Sequence, residues 1–178
     1  MSRGLEPGDA GLPFDLPNAN GGGSLTLSDA LGDGGAVVVF TCNHCPYVVG
    51  SEVRIEAMAA KAQAAGIGFV GINSNDPEKY ANDDWDHMVA RAEDMSYAYL
   101  HDATQAVATA WGAERTPEFY VLDAAGTITY RGRLDDSPKD PTLATTAELA
   151  DAIDALIAGE APAVTRTDSI GCSVKWKV

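Results

Sequence analysis

Residues 36–48 read Ala36-Val37-Val38-Val39-Phe40-Thr41-Cys42-Asn43-His44-Cys45-Pro46-Tyr47-Val48. The first five form an unbroken, Val-rich apolar run, the pattern of a strand buried on both faces. A helix is predicted to follow, from Cys45 or Pro46 to Ala65. Pro46 suits its first turn, where a missing N–H does no harm. Val48, Ile55, Ala59 and Ala62 recur at helical spacing, and Gly66 can end the helix. Cys42 and Cys45 therefore fall at a strand-to-helix junction.

Outward from this junction the chain alternates. Ile67-Gly68-Phe69-Val70-Gly71-Ile72 reads as a second strand. Asp76-Pro77 opens an acidic stretch. A helix is predicted from Asp84 to Met95, with Trp85, Met88 and Val89 on its apolar face, and another from Thr104 to Trp111. Phe119–Leu122 and Thr127–Tyr130 read as two strands around the turn Asp123-Ala124-Ala125-Gly126. Thr145 or Thr146 is the predicted cap of a last helix running through Ile157 and ended by Gly159. Before the junction, Gly21-Gly22-Gly23 reads as the turn of a hairpin between Phe14–Leu16 and Leu25–Leu27. The order is β-α-β-α-β-β-α, so the first strands should be parallel, the last two antiparallel and the sheet mixed. The expected organisation is one domain over 1–178: an N-terminal extension (1–35), a core (36–158) and a tail (159–178).

The chemistry is concentrated in Cys42-Asn43-His44-Cys45. A C-x-x-C between a strand and a helix reads as a redox motif, because the spacing lets two sulfurs close a small ring. A helix start offers free N–H groups and partial positive charge, and His44 adds a group that can be cationic, so His44 is the predicted pKa-tuning residue. Cys42, nearer the strand end, is expected to be the exposed nucleophile. Cys45 is expected to close the disulfide.

The chain has 178 residues, with Lys plus Arg 12, Asp plus Glu 26 and a formal charge of −14. Nucleic acid and anionic membranes need a basic surface and are excluded as main partners. Three cysteines are too few for a disulfide framework. No apolar run approaches the ~18 residues of a membrane span. The N-terminal stretch has no apolar signal core, so a cytoplasmic location is expected.

The segments Phe40–Val48, Asn75-Asp76-Pro77-Glu78-Lys79-Tyr80, Arg115-Thr116-Pro117-Glu118, Tyr130-Arg131-Gly132 and Gly171-Cys172-Ser173-Val174-Lys175-Trp176 together resemble the peroxiredoxin-like proteins of the thioredoxin superfamily that carry a C-x-x-C. The resemblance implies a thioredoxin fold: three α/β/α layers on a mixed sheet, here with an N-terminal hairpin and a C-terminal tail. It implies a thiol–disulfide oxidoreductase in which Cys42 attacks a partner disulfide and Cys45 resolves the mixed disulfide. It makes Pro117 a cis proline and Thr116 a substrate-binding residue, offering backbone hydrogen bonds to the disulfide partner. No cofactor beyond the Cys42–Cys45 disulfide and no metal are implied. The partners would be protein or small-molecule disulfides and thiols, with an upstream thiol reductant.

Several positions depart from the pattern. Thioredoxin has a buried Asp six residues before its first cysteine, where this chain has Ala36, so proton transfer must use another group or water. Peroxiredoxins use P-x-x-x-T-x-x-C and a distant Arg. Counted back from Cys42, the Thr position holds Val39 and the Pro position Gly35, while Arg115 is close to the Arg position without matching it. A thiol peroxidase is therefore the alternative enzyme. A Cys/His module for Zn or Cu, built from Cys42, Cys45, His44 and Cys172, is the alternative of another class. Cys172 is either a third redox thiol or, as is commoner for a free cysteine, a buried small residue. His87 and His101 are expected to be surface or helix-packing residues. Trp85 and Trp111 are expected in the core, and Arg131 and Arg133 in a solvated cluster with Asp135 and Asp136.

Overall fold

The structure is a computed structural model and describes residues 4–177; residues 1–3 and 178 of the expected domain lie outside it. A hairpin of β1 (Asp15–Pro17) and β2 (Ser24–Thr26) leads into the one-turn α1 (Leu27–Ala30). Then come β3 (Gly35–Thr41), α2 (Pro46–Val49), α3 (Glu52–Ala64) and β4 (Ile67–Asn73). A 3₁₀ turn over Ala81–Asp83 precedes α4 (Trp85–Ala92), followed by β5 (Ala98–His101) and α5 (Ala106–Trp111). The chain ends with β6 (Arg115–Thr116), β7 (Glu118–Leu122), β8 (Ile128–Gly132), α6 (Glu148–Ile157) and β9 (Cys172–Ser173).

The central sheet has the order β5-β4-β3-β7-β8. β3 runs parallel to β4, β4 parallel to β5, and β7 antiparallel to both β3 and β8. This is the mixed sheet of a thioredoxin fold. The pleat sends alternate residues of β3 to opposite layers. Val37 and Val39 pack with Ile55, Ala59, Leu149 and Ile153 of α3 and α6. Val38 and Phe40 pack with Trp111, Tyr120 and the N-terminal Phe14 and Leu27. All seven residues of β3 are buried, as a two-sided strand requires.

Several expectations need correction. The long helix after the cysteines is broken at Gly50–Ser51. A Cβ on Gly50 would lie 2.6 Å from the Lys139 carbonyl oxygen, and the Ser51 hydroxyl lies 2.7 and 2.6 Å from the carbonyl oxygens of Tyr47 and Pro138, sharing its one proton between them. The loop at 137–139 thus packs into the break. β5 has no counterpart in the sequence reading, because Ala98-Tyr99-Leu100-His101 is too short to show a period. Neither Thr145 nor Thr146 caps α6: Asp136 accepts from both backbone N–H groups, at 2.7 and 3.2 Å, and the N-cap position is Ala147. Trp111 is buried, but Trp85 is 37% exposed, at the first position of α4.

Arg131 is also not solvated. Its side chain is 1% exposed, and its Nε donates to Glu118 at 2.9 Å. Its Nη1 reaches Glu6 at 3.1 Å, and its guanidinium lies over the Tyr120 ring at 5.1 Å. Glu118 in turn accepts from the backbone N–H of Glu114 at 2.8 Å, so this ion pair holds the segment that leads into Thr116-Pro117. Arg133 pairs with Glu148, and Asp135 with Arg54 at 2.6 Å. Glu118→Gln should destabilise the fold by about 3 kcal/mol, the low end for a broken buried pair because Arg131 keeps Glu6 and two carbonyls. Chemical denaturation reads this directly, and an unchanged midpoint would contradict it.

Candidate active site

Cys42 follows the last residue of β3, and Cys45 is the N-cap residue of α2, whose N1 position is Pro46. All three cysteines are free thiols. Cys42 is 1% and Cys45 2% exposed. They pack with Val48, Tyr47 and Cys172. The expected exposure of Cys42 is not found, because the C-terminal tail folds back over the junction.

The two residues between the cysteines both face Asp83, a wholly buried carboxylate at the end of the 3₁₀ turn. Asp83 accepts from the Asn43 backbone N–H at 2.8 Å and from the amides of Asn73 and Asn75 at 3.0 Å each. His44 Nδ1 sits 2.9 Å from Asp83 Oδ2, the oxygen that also accepts from Asn75, and its ring stacks on Tyr80. The Asn43 side chain is held by the Tyr99 hydroxyl, which donates to it at 2.6 Å, and by the Asn82 carbonyl at 2.7 Å. The His44 ring thus lies against Asp83 and Tyr80, with Nδ1 at ion-pair distance from the carboxylate but making no hydrogen bond. Among the described residues, no group of three or more His, Cys, Asp or Glu is arranged to hold a metal ion.

Asp83 was missed by sequence reasoning. Asp83-Asp84 looks like any acidic pair before a helix, and only the fold separates them. Asp84 caps α4 through the His87 N–H, while Asp83 turns inward beside Cys42. A buried carboxylate is therefore present at the site although position 36 is Ala.

The Thr116–Pro117 peptide is cis. Thr116 Oγ1 lies 3.6 Å from Cys42 Sγ, and the Thr116 carbonyl oxygen 3.5 Å from Cys45 Sγ. The backbone edge of Thr116 is already paired: β6 and β9 run antiparallel with Thr116 opposite Cys172. Arg115, the candidate peroxide-activating residue, is exposed and donates to the Gly171 carbonyl at 3.4 Å. His101 is buried on β5, and His87 lies at the surface against Asp84.

The sulfurs share their protons unequally. The Cys42 thiol is pushed up because it donates to Cys45, because it is buried and because Asp83 is near. Cys45 is pulled down to about 4, chiefly by the hydrogen bond from Cys42, with further donation from the thiol and backbone of Cys172 and the backbone of Val48. Cys172 is raised to about 11 by burial and by Cys45. The direction within the pair is a raised Cys42 and a lowered Cys45, while the Cys45 Sγ–H donates to the Thr116 carbonyl oxygen at 3.5 Å.

The sequence profile of the Redoxin family matches residues 6–151. No curated protein sequence matches the chain. Among solved structures, an uncharacterized conserved protein from Geobacillus kaustophilus is 37% identical, with 99% of this chain and 98% of that one covered and a TM-score of 0.90. A hypothetical protein from Sinorhizobium meliloti is 33% identical, with the same coverage and a TM-score of 0.91. A peroxidoxin from Mycobacterium tuberculosis is 20% identical over 87% of this chain and 97% of that one, with a TM-score of 0.61, a likeness of fold alone. Among the described residues, no helix is long and apolar enough to cross a membrane.

Thiolate absorbance at 240 nm should show one thiolate per reduced protein, titrating near the value of about 4 given above for Cys45. Cys45→Ser should abolish it. Cys42→Ala should shift it upward, since the largest stabilising donor is removed. Asp83→Asn should bring the Cys42 pKa down and destabilise the fold by about 2 kcal/mol, because its amide would face the donating Asn75 amide. A Cys45→Ser variant that keeps the low-pH thiolate would contradict the assignment.

Proposed function

Because the chain belongs to the Redoxin family, we propose that this thioredoxin-like redox enzyme is a thiol–disulfide oxidoreductase working through the Cys42–Cys45 pair. The observation that carries the reading is the juxtaposition of the two sulfurs: Cys42 and Cys45 pack together where β3 passes into α2, both against Thr116 of the cis Thr116–Pro117 peptide. A thiolate is the attacking species in disulfide exchange, and a neighbouring thiol completes the reaction.

In the oxidising direction, thiolate attack on an incoming disulfide forms a protein mixed disulfide and expels one thiolate. The second cysteine then attacks the mixed disulfide, closes the Cys42–Cys45 bond and releases the other half of the substrate. Two electrons pass from the pair to the substrate; the closing thiol gives up its proton, and the other departing sulfur takes its proton from solvent. Asp83 is the buried carboxylate whose charge acts on the Cys42 thiol and raises it. The reductant that restores the dithiol would be another thiol, and no further cofactor enters.

The alternative of a thiol peroxidase is less well supported. Peroxide cleavage needs donors that stabilise the leaving oxygen, and each such group is commonly worth ~3 kcal/mol or more, over a hundredfold in rate. Position 39 is Val, and Arg115 is turned to the Gly171 carbonyl.

Reduced protein mixed with glutathione disulfide should yield the Cys42–Cys45 disulfide, found by alkylation and peptide mapping. Neither Cys42→Ser nor Cys45→Ser should give it. Hydrogen peroxide should oxidise the same protein little faster than a free thiolate of matched pKa. A peroxide rate several orders of magnitude above that reference would place the peroxidase reading first.

A further inference from the structure

The third cysteine stands where a bound polypeptide would have to lie. β9 pairs antiparallel with β6 and sets Cys172 opposite Thr116, the residue before the cis proline. The tail is built to stay there. A Cβ on Gly171 would lie 1.9 Å from the Thr116 carbonyl oxygen, so only glycine permits the approach. Val174 is buried and its N–H donates to the Glu114 carbonyl at 3.0 Å. The Lys175 N–H donates to Asn75 at 2.9 Å, and its carbonyl accepts from the Asp76 N–H and the Gln105 amide at 2.8 Å each. The Lys177 N–H donates to Gln105 Oε1 at 2.9 Å. Gln105 does this from a left-handed backbone conformation, φ 66°, that few non-glycine residues adopt.

Two consequences follow. A polypeptide disulfide cannot pair with Thr116 while β9 holds that edge. Cys172, half-buried, is more open to solvent than Cys42 or Cys45, and it already makes a thiol contact with Cys45. The Cys45 sulfur is thus in contact with both Cys42 and Cys172.

Resting on the dithiol reading above, we propose that Cys172 is an internal exchange thiol that opens the buried Cys42–Cys45 disulfide at Cys45 and carries it outward to a low-molecular-weight thiol. In the first step Cys172 gives up its proton and its sulfur bonds to Cys45 Sγ. The Cys42–Cys45 bond breaks, its electron pair goes to Cys42, and Cys42 takes up a proton. No electron enters or leaves. In the second step the thiolate of a small thiol bonds to Cys172 and expels Cys45. A second small thiol then releases Cys172. The protein gains two electrons and two protons, and the small thiol leaves as its disulfide. Burial still raises the Cys172 thiol, but once Cys45 is in a disulfide its charge no longer adds to that, while Lys175 and Lys139 favour the thiolate.

The experiment uses the oxidised full-length protein, with glutathione as the small thiol. Disappearance of the disulfide is followed by acid quench, alkylation and peptide mapping, in wild type, Cys172→Ser and Gly171→Ala. Wild type should pass through a species with Cys45 joined to Cys172 and Cys42 alkylated. Cys172→Ser should be reduced at least ~10-fold more slowly, since it loses an intramolecular partner held beside the bond. Gly171→Ala keeps all three thiols but lifts the tail, and should also be slowed and lose the intermediate. Equal rates in wild type and Cys172→Ser would overturn the relay. If Cys172→Ser treated with oxidant forms no Cys42–Cys45 disulfide, the dithiol reading falls and the relay falls with it.

Discussion

The constraint behind the whole site is the dryness at the end of β3. Seven consecutive residues of this strand are buried, with an apolar layer on each face, and the chain delivers Cys42 straight out of that environment. Any polar or ionisable group brought there must find a protein partner, because water cannot serve. The sulfurs meet this demand by bonding to one another and to Thr116. The backbone between them meets it through Asp83, and Asp83 through Asn73 and Asn75. Each neighbour is thereby tied to the same few ångströms of chain.

The same constraint explains the tail. An open junction would let water reach Asp83 and the sulfurs. Residues 171–177 close it, with Asn75 and Gln105 as their fasteners. Asn75 donates to Asp83 from its amide nitrogen and accepts from Lys175 at its amide oxygen. One side chain therefore couples the buried carboxylate to the cover. Displacement of the tail and a change in the environment of Cys42 should be linked through it.

Much of this architecture was legible in the sequence. Val37–Phe40 announces a two-sided strand because every residue is apolar, and the pair of cysteines after it locates the chemistry. What the sequence hides are choices made by tertiary packing. Asp83 and Asp84 are chemically identical, yet one is buried beside Cys42 and the other caps α4. Arg131 reads as a surface charge and is instead paired with Glu118 under Tyr120. The exposure expected for Cys42 followed from its place on the strand, and no local pattern tells that a segment some 130 residues later covers it. The tail could be marked as part of the family pattern, but not as a strand on the cis-proline edge.

The central claim is that Cys42 and Cys45 act as one two-electron couple. The most direct measurement equilibrates the Cys172→Ser variant, which leaves only these two thiols, in glutathione buffers of stepped ratio, and counts alkylated cysteines by mass. The account predicts a single transition in which both cysteines become blocked together, with the two-electron slope of about 30 mV per tenfold change in the equilibrium constant. Both thiols remaining free across the whole range, or each being capped by glutathione independently, would contradict it.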